Sequence, residues 1–225
     1  ARLASMISKE QSETKYPSMR DQSLRGHIKN LEQQGELIRV DTETDPTENL
    51  SALGWKIYDQ KGKSSLFTNL KKHPNWQVCS QIVTDRRKWS IGLGLGEDEL
   101  ISELVKRTKK PLTPSLIEKK EAPVKEVILR GSDCDLTKFP AMWTSEQDPG
   151  PYIAAGMAII KNPETGIRNV SYHRQQILGP DKTGFLICPR HAQRVYQQYK
   201  ALKQDMPVAI VIGAHPAILL AAGFT

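Results

Sequence analysis

The 225-residue sequence has no apolar run of the roughly 18 residues that a membrane-spanning helix requires. Its longest such stretch, Val208 to Phe224, is broken by Gly213, His215 and Pro216. Ala1 to Tyr16 lack the apolar centre of a secretory signal, so residues 1–21 read as a flexible N-terminus and a cytoplasmic location is expected. Cysteine is scarce: Cys79, Cys134 and Cys188 lie far apart and never form C-x-x-C, which excludes a disulfide framework and a structural zinc site and leaves buried thiols. Aromatic residues are missing from the basic clusters Arg86-Arg87-Lys88 and Lys106-Arg107-Thr108-Lys109-Lys110, so the formal charge of +7 forms no base-stacking surface and no nucleic-acid partner is expected. The surplus fits solvated faces, anionic ligands or acidic residues on a partner segment. The glycines of Ile91 to Gly96 lack the G-x-G-x-x-G spacing of a dinucleotide loop, and no clear strand enters them.

What is present suffices for a substantial core, since 38% of the residues are hydrophobic. Leu24, Ile28 and Leu31 recur at helical spacing after Ser23, a capping residue, until Gly35 stops the run. Alternation from Glu36 to Val40 predicts a strand, Asp45-Pro46 opens a second helix, and Ser65 to Thr68 and Trp76 to Val83 read as strands. A helix over 97–106 follows. Residues 22–108 thus form a small α/β unit, and the proline-rich, charged residues 109–123 form a linker. Beyond it, Val124 to Leu129 reads as a strand and Tyr152 to Lys161 as a long apolar strand, with Asn162 to Gly166 as the turn that returns it along Ile167 to Ile177. Thr183 to Ile187 reads as a strand, His191 to Gln204 as an amphipathic helix, Met206 to Gly213 as a strand and Ala217 to Ala222 as the start of a helix.

The chemistry concentrates in Arg168-Asn169-Val170-Ser171-Tyr172-His173-Arg174 and Cys188-Pro189-Arg190-His191. An amide, a hydroxyl, guanidiniums and imidazoles together suit a phosphate with a divalent cation. In a strand, Asn169, Ser171 and His173 share one face, while Arg168, Val170, Tyr172 and Arg174 share the other. Alternation therefore separates Asn169 from Arg174 unless the strand bends. On pattern alone a solvated polar face is an equal reading, because antiparallel sheets often wet one side.

The run from Gly150-Pro151-Tyr152 through Asn169 to Arg174, Pro189-Arg190-His191 and Pro207 to Pro216 resembles the UbiD family of reversible (de)carboxylases. Leu31 to Val40, Leu66 to Leu70 and Asp135 to Pro140 fit the same family, so that the resemblance spans about residues 22 to 225. Each piece is weak, but their order and spacing are specific.

The resemblance implies an α+β chain: the N-terminal α/β domain, the linker, and over 124–225 a flavin-reductase-like split β-barrel that binds prenylated FMN, with the C-terminal oligomerisation domain absent. It implies a Mn2+ or Mg2+ ion held by Asn169 and His191, a K+ ion approached by carbonyls of Val170 and of Ala221 to Phe224, and cofactor contacts from Ser171, Tyr172, His173, Arg174 and Arg190. Arg174 falls on the catalytic arginine that orients the substrate carboxylate. The implied reaction is reversible non-oxidative decarboxylation of an aromatic, heteroaromatic or α,β-unsaturated acid through a covalent prenylated-FMN adduct. Implied partners are a flavin prenyltransferase that supplies the cofactor and, in the full-length form, identical subunits. The family's third metal ligand and catalytic glutamates match no position before Thr225. A flavin-binding or structural fragment without decarboxylase activity is therefore the alternative, with a basic nucleic-acid module a distant third.

Overall fold

The computed structural model describes residues 21–224; residues 1–20, which carry the expected flexible terminus, lie outside the described residues. The Ser23 hydroxyl accepts from the Gly26 N–H at 3.0 Å and opens α1 (Leu24–Gln33), which buries His27 and Leu31. Strand β1 (Leu37–Val40) pairs in parallel with β2 (Ser64–Phe67), and helix α2 (Leu50–Lys61) supplies the crossover that parallel neighbours need. The helix expected from Asp45 starts later because Asp45 is spent on a turn, its carboxylate accepting from the Thr47 N–H at 2.9 Å. Strand β3 (Val78–Ser80) completes the sheet antiparallel to β2, over a core of Leu50, Phe67 and Leu70.

Asp85 caps α3 (Arg86–Leu93) by accepting from the Lys88 N–H at 2.9 Å. Of the glycines that superficially suggest a phosphate loop, Gly92 sits in the last turn of α3, Gly94 is its C-cap and Gly96 lies in the connection that follows. Helix α4 (Leu100–Thr108) follows. Between residues 109 and 150 the chain makes short 3-10 turns, and the strand expected at Val124 to Leu129 is absent. Val124 and Val127 stand exposed there with no neighbouring strand to satisfy their backbone groups.

The remaining chain forms β4 (Tyr152–Ile153), β5 (Met157–Lys161), β6 (Arg168–Tyr172), β7 (Gln175–Gly179), β8 (Lys182–Phe185), α5 (His191–Ala201), β9 (Val208–Val211) and α6 (Pro216–Gly223). Asn162 builds the β5–β6 hairpin, its side-chain oxygen accepting from the N–H groups of Glu164 and Thr165, both at 2.9 Å. Among the described residues there are three small sheets, in the orders β1-β2-β3, β4-β7-β8 and β6-β5-β9.

The fold is α+β, but the expected split β-barrel is not formed: no sheet closes on itself. Each of the two long strands expected from the apolar pattern is cut in two. Residues 152–161 become β4 and β5, and 167–177 become β6 and β7, with one half of each in each sheet. At the switch the fully buried Gln175 donates to the His173 carbonyl and lies against Gly156, where any Cβ would collide with the Gln175 side-chain oxygen. That packing carries β7 out of line with β6, and the outer strands of both sheets remain unpaired with each other.

Helix α6 joins the two parts of the chain. Leu219 and Ala222 pack with Met157 of β5, with Val170 of β6 and with Ile82, Val83 and Trp89 from the N-terminal part. Pro216 is buried against Gly92 of α3, next to His27. The His27 Nε2–H donates to the Ile82 carbonyl at 2.8 Å, while its Nδ1 is buried without a partner. Burial holds the His27 pKa below the ordinary histidine value, against the Ile82 hydrogen bond and with help from nearby His215. No helix among the described residues is long and apolar enough to cross a membrane.

Two outcomes are expected from this junction. A Cβ at position 92 would lie 2.7 Å from Pro216 Cγ. Gly92→Ala should therefore lose roughly 1–3 kcal/mol through overpacking, more than the gain of about 1 kcal/mol in helix propensity, and lower the urea midpoint. Because folded His27 resists protonation, the unfolded state binds more protons below its ordinary pKa; stability is complete above that value and falls as pH drops through the lower folded one. Urea midpoints at pH 7.5 and 5.5 should show this loss, and His27→Gln should flatten it.

Candidate functional site

Strand β6 leaves its hairpin with Asn169, Ser171 and His173 on one face, as strand alternation requires. The structure links them. Asn169 Nδ2 donates to Ser171 Oγ at 3.2 Å, Ser171 Oγ lies 3.0 Å from His173 Nε2, and His173 Nδ1 lies 3.0 Å from the Leu186 carbonyl oxygen. The His173 ring stacks on Phe185 with centroids 4.6 Å apart and planes 27° apart. On the opposite face Val170 packs against α6, and the Tyr172 hydroxyl donates to the Leu219 carbonyl at 2.8 Å. Burial raises the Tyr172 pKa, which keeps that donor protonated.

These residues form one wall of a cleft of about 410 Å³. The second wall is Cys188, Arg190 and the first residues of α5, His191 and Ala192; the third is Ala222 to Phe224 at the end of α6. Arg190 caps α5 without a side-chain hydrogen bond, so the first backbone N–H groups of that helix keep their donor capacity. Among the described residues, no acidic side chain lines the cleft. A guanidinium, a helix N-terminus and two imidazoles make it a place for an anion.

Of the seven residues singled out from the sequence, the cleft gathers Asn169, Ser171, Tyr172, His173, Arg190 and His191. Arg174 is not among its lining. Its guanidinium lies 4.1 Å from the Tyr152 ring centroid and donates to Asp148 at 2.8 Å and Thr144 at 3.3 Å. Hydrogen bonds from Thr144 and then from Arg174 hold the Asp148 carboxyl below the usual range. Sequence reasoning missed Asp148, Thr144 and Phe185, because partners so distant along the chain leave no periodic signal. It assigned Cys188 to the buried thiols, yet Cys188 is exposed and lines the cleft. Cys134 is exposed as well. Cys79 alone meets that expectation in part, with burial pushing its pKa up to about 11.

As a metal site the cleft is incomplete in protein donors. No group of three His, Cys, Asp or Glu side chains converges anywhere among the described residues. Asn169 and His191 offer one amide and one imidazole, neither of which brings negative charge. A cation here would need negative charge from another source, and a phosphate in the same cleft would supply it. The donor set therefore fits a phosphate-bearing cofactor with a cation better than a cation alone. A larger cavity of about 890 Å³, bordered by α1, Trp76 and residues 212–218, brings together only Arg25 and His215 as ionisable groups besides Cys79.

Comparison with known proteins bears on this geometry. The 3-octaprenyl-4-hydroxybenzoate carboxy-lyase N-terminal domain of the UbiD family matches residues 28–108, and the Rift-related domain of the same family matches residues 115–225. An evolved dimeric form of the UbiD-class enzyme HmfF from Pelotomaculum thermopropionicum, in complex with prFMN, superposes with a TM-score of 0.85 at 35% identity over 91% of this chain and 47% of that one. Vanillic acid decarboxylase from Sedimentibacter hydroxybenzoicus, in its closed form, gives 0.83 at 26% identity over 90% and 45%. Anhydromevalonate phosphate decarboxylase from Methanothermobacter thermautotrophicus is 31% identical over 156 residues, covering 69% of this chain and 35% of that protein. The chain thus spans less than half the length of these relatives.

Thiol exposure gives a direct check on the cleft. In native protein at pH 8, iodoacetamide should modify Cys188 and Cys134 well before Cys79, which should react only after denaturation; peptide mass spectrometry reads the order. Labelling of Cys79 ahead of Cys188 would contradict the described walls.

Proposed function

The chain belongs to the UbiD family, and from that membership together with the cleft we propose that it carries the cofactor-binding part of a prenylated-FMN-dependent carboxy-lyase. The observation that carries the reading is the convergence of Asn169, Ser171, His173, Arg190 and His191, from β6, the residue after it and the start of α5, around one cleft whose described lining has no acidic side chain. Arg190 and the α5 N-terminus would hold the phosphate. Asn169 and His191 would ligate a Mn2+ or Mg2+ ion neutralised by that phosphate, and carbonyls near Val170 and Phe224 would serve K+. Ser171, Tyr172 and His173 would line the ring system. Residues 22–108 and 124–225 would act as two domains joined by 109–123, and the full-length protein would assemble from identical subunits with cofactor supplied by a flavin prenyltransferase.

When bound, prenylated FMN supplies the electron sink for breaking a carbon–carboxylate bond. The protein's task is to orient. Arg174 would receive the substrate carboxylate; its contacts with Asp148 and Thr144 both use Nη2, so its other donors could meet the substrate while Asp148 stays paired. The substrate would be an aromatic, heteroaromatic or α,β-unsaturated acid. The location of Arg174 outside the cleft lining favours one second reading, a flavin-binding chain that performs no decarboxylation.

The binding test uses FMN as the probe. Flavin fluorescence titrations of the full-length protein should show affinity raised at least about tenfold by Mn2+. Asn169→Ala and His191→Ala should each remove that gain. Equal affinity with and without Mn2+ in the wild type would refute the metal assignment. Carbon dioxide release by protein co-produced with a flavin prenyltransferase separates the carboxy-lyase from the flavin-binding reading.

A further inference from the structure

The hydrogen bonds along β6 run in one direction, and a single carbonyl sets it. The Leu186 carbonyl oxygen can only accept, so His173 Nδ1, 3.0 Å away, carries a ring proton. In the neutral ring Nε2 is then an acceptor, and the Ser171 hydroxyl at 3.0 Å must donate to it. Ser171 has only one proton. With that proton directed to His173, the Ser171 oxygen can only accept from Asn169, which makes the contact at 3.2 Å the amide N–H2 and not the amide oxygen. The two ends of an amide have nearly the same shape, so shape alone would not choose between them. The relay does choose, and it leaves the Asn169 oxygen for whatever occupies the cleft.

We propose that His173 is a positioning residue that, through Ser171, holds the Asn169 amide with its oxygen available to a cation in the cleft. The inference rests on the reading of Asn169 as a metal ligand. If the Ser171 proton turned toward Asn169 instead, the amide would reverse and offer hydrogens where a hard cation requires oxygen. The imidazole is well suited to prevent this. Its plane is set by the stack on Phe185, and its backbone carbonyl is held by the buried Gln175 side chain. Partners behind a metal ligand commonly change metal affinity by 10–100-fold when removed, so the contribution of His173 is measurable.

The test reads the ratio of FMN affinities without and with Mn2+ in full-length protein, which cancels changes in metal-independent binding. His173→Phe keeps an aromatic ring on Phe185 but has no hydrogen-bonding atoms; the ratio should fall about tenfold. Ser171→Ala breaks the relay at its middle link, should reproduce that fall, and carries the test if the Phe variant does not fold. His173→Gln can donate to Leu186 and accept from Ser171, and should stay within about threefold of wild type, since the polarity of the outer partner is what matters. A wild-type ratio near one, or an unchanged ratio in Asn169→Ala, overturns the metal reading and the inference with it. A large wild-type ratio that collapses in Asn169→Ala but survives in His173→Phe and Ser171→Ala overturns the inference alone. So does a His173→Gln protein as impaired as His173→Phe.

Discussion

The seating of α6 between α3 and β6 is the contact on which the rest of the structure depends. Leu219 and Ala222 close over Met157 and Val170, Tyr172 donates to the Leu219 carbonyl, and Pro216 fills the space that Gly92 leaves open. The same helix thereby joins the N-terminal sheet to the second part of the chain and delivers Ala222 to Phe224 to the third wall of the cleft. Burial at this seam leaves little freedom: a methyl group at position 92 or a proton on His27 Nδ1 has nowhere favourable to go.

From that seam β6 acquires two functions on its two faces. Val170 and Tyr172 anchor it to α6, and Asn169, Ser171 and His173 form a polar relay whose direction originates at the Leu186 carbonyl. The cleft combines this relay with Arg190 and the start of α5, which has no side-chain cap hydrogen bond, and among the described residues it has no acidic side chain in its lining. Such a site offers donors suited to a phosphate and no negatively charged ligand, among the described residues, for a cation. An anion and a cation would depend on one another here, as in the proposed pairing of a flavin phosphate with a divalent ion.

Much of the local structure was legible. Ser23 as a cap, the successive spacing of Leu24, Ile28 and Leu31, and the Asn162 turn all act over steps of four residues or fewer. The shared face of Asn169, Ser171 and His173 follows from the two-residue repeat of a strand, but that repeat does not by itself account for Arg174, since Tyr172, of the same parity, lines the cleft. The strand expected at Val124 to Leu129 failed because local β propensity needs a partner strand, and none lies beside it. The barrel failed for a related reason: an apolar run does not reveal that it will be cut at Gly156 or at His173, where packing of Gln175 redirects the chain.

By itself the sequence determined α1, the Asn162 turn, the polar face of β6 and the family to which the chain belongs, because each rests on short spacings or on the order of motifs, whereas α3 gave no such signal. Only the tertiary structure decided that β5 and β7 belong to different open sheets, that Asp148 pairs with Arg174, and that Leu186 orients Asn169 through His173 and Ser171. Those outcomes depend on atoms brought together from separate stretches of chain, where a buried donor or acceptor takes whichever partner packing provides.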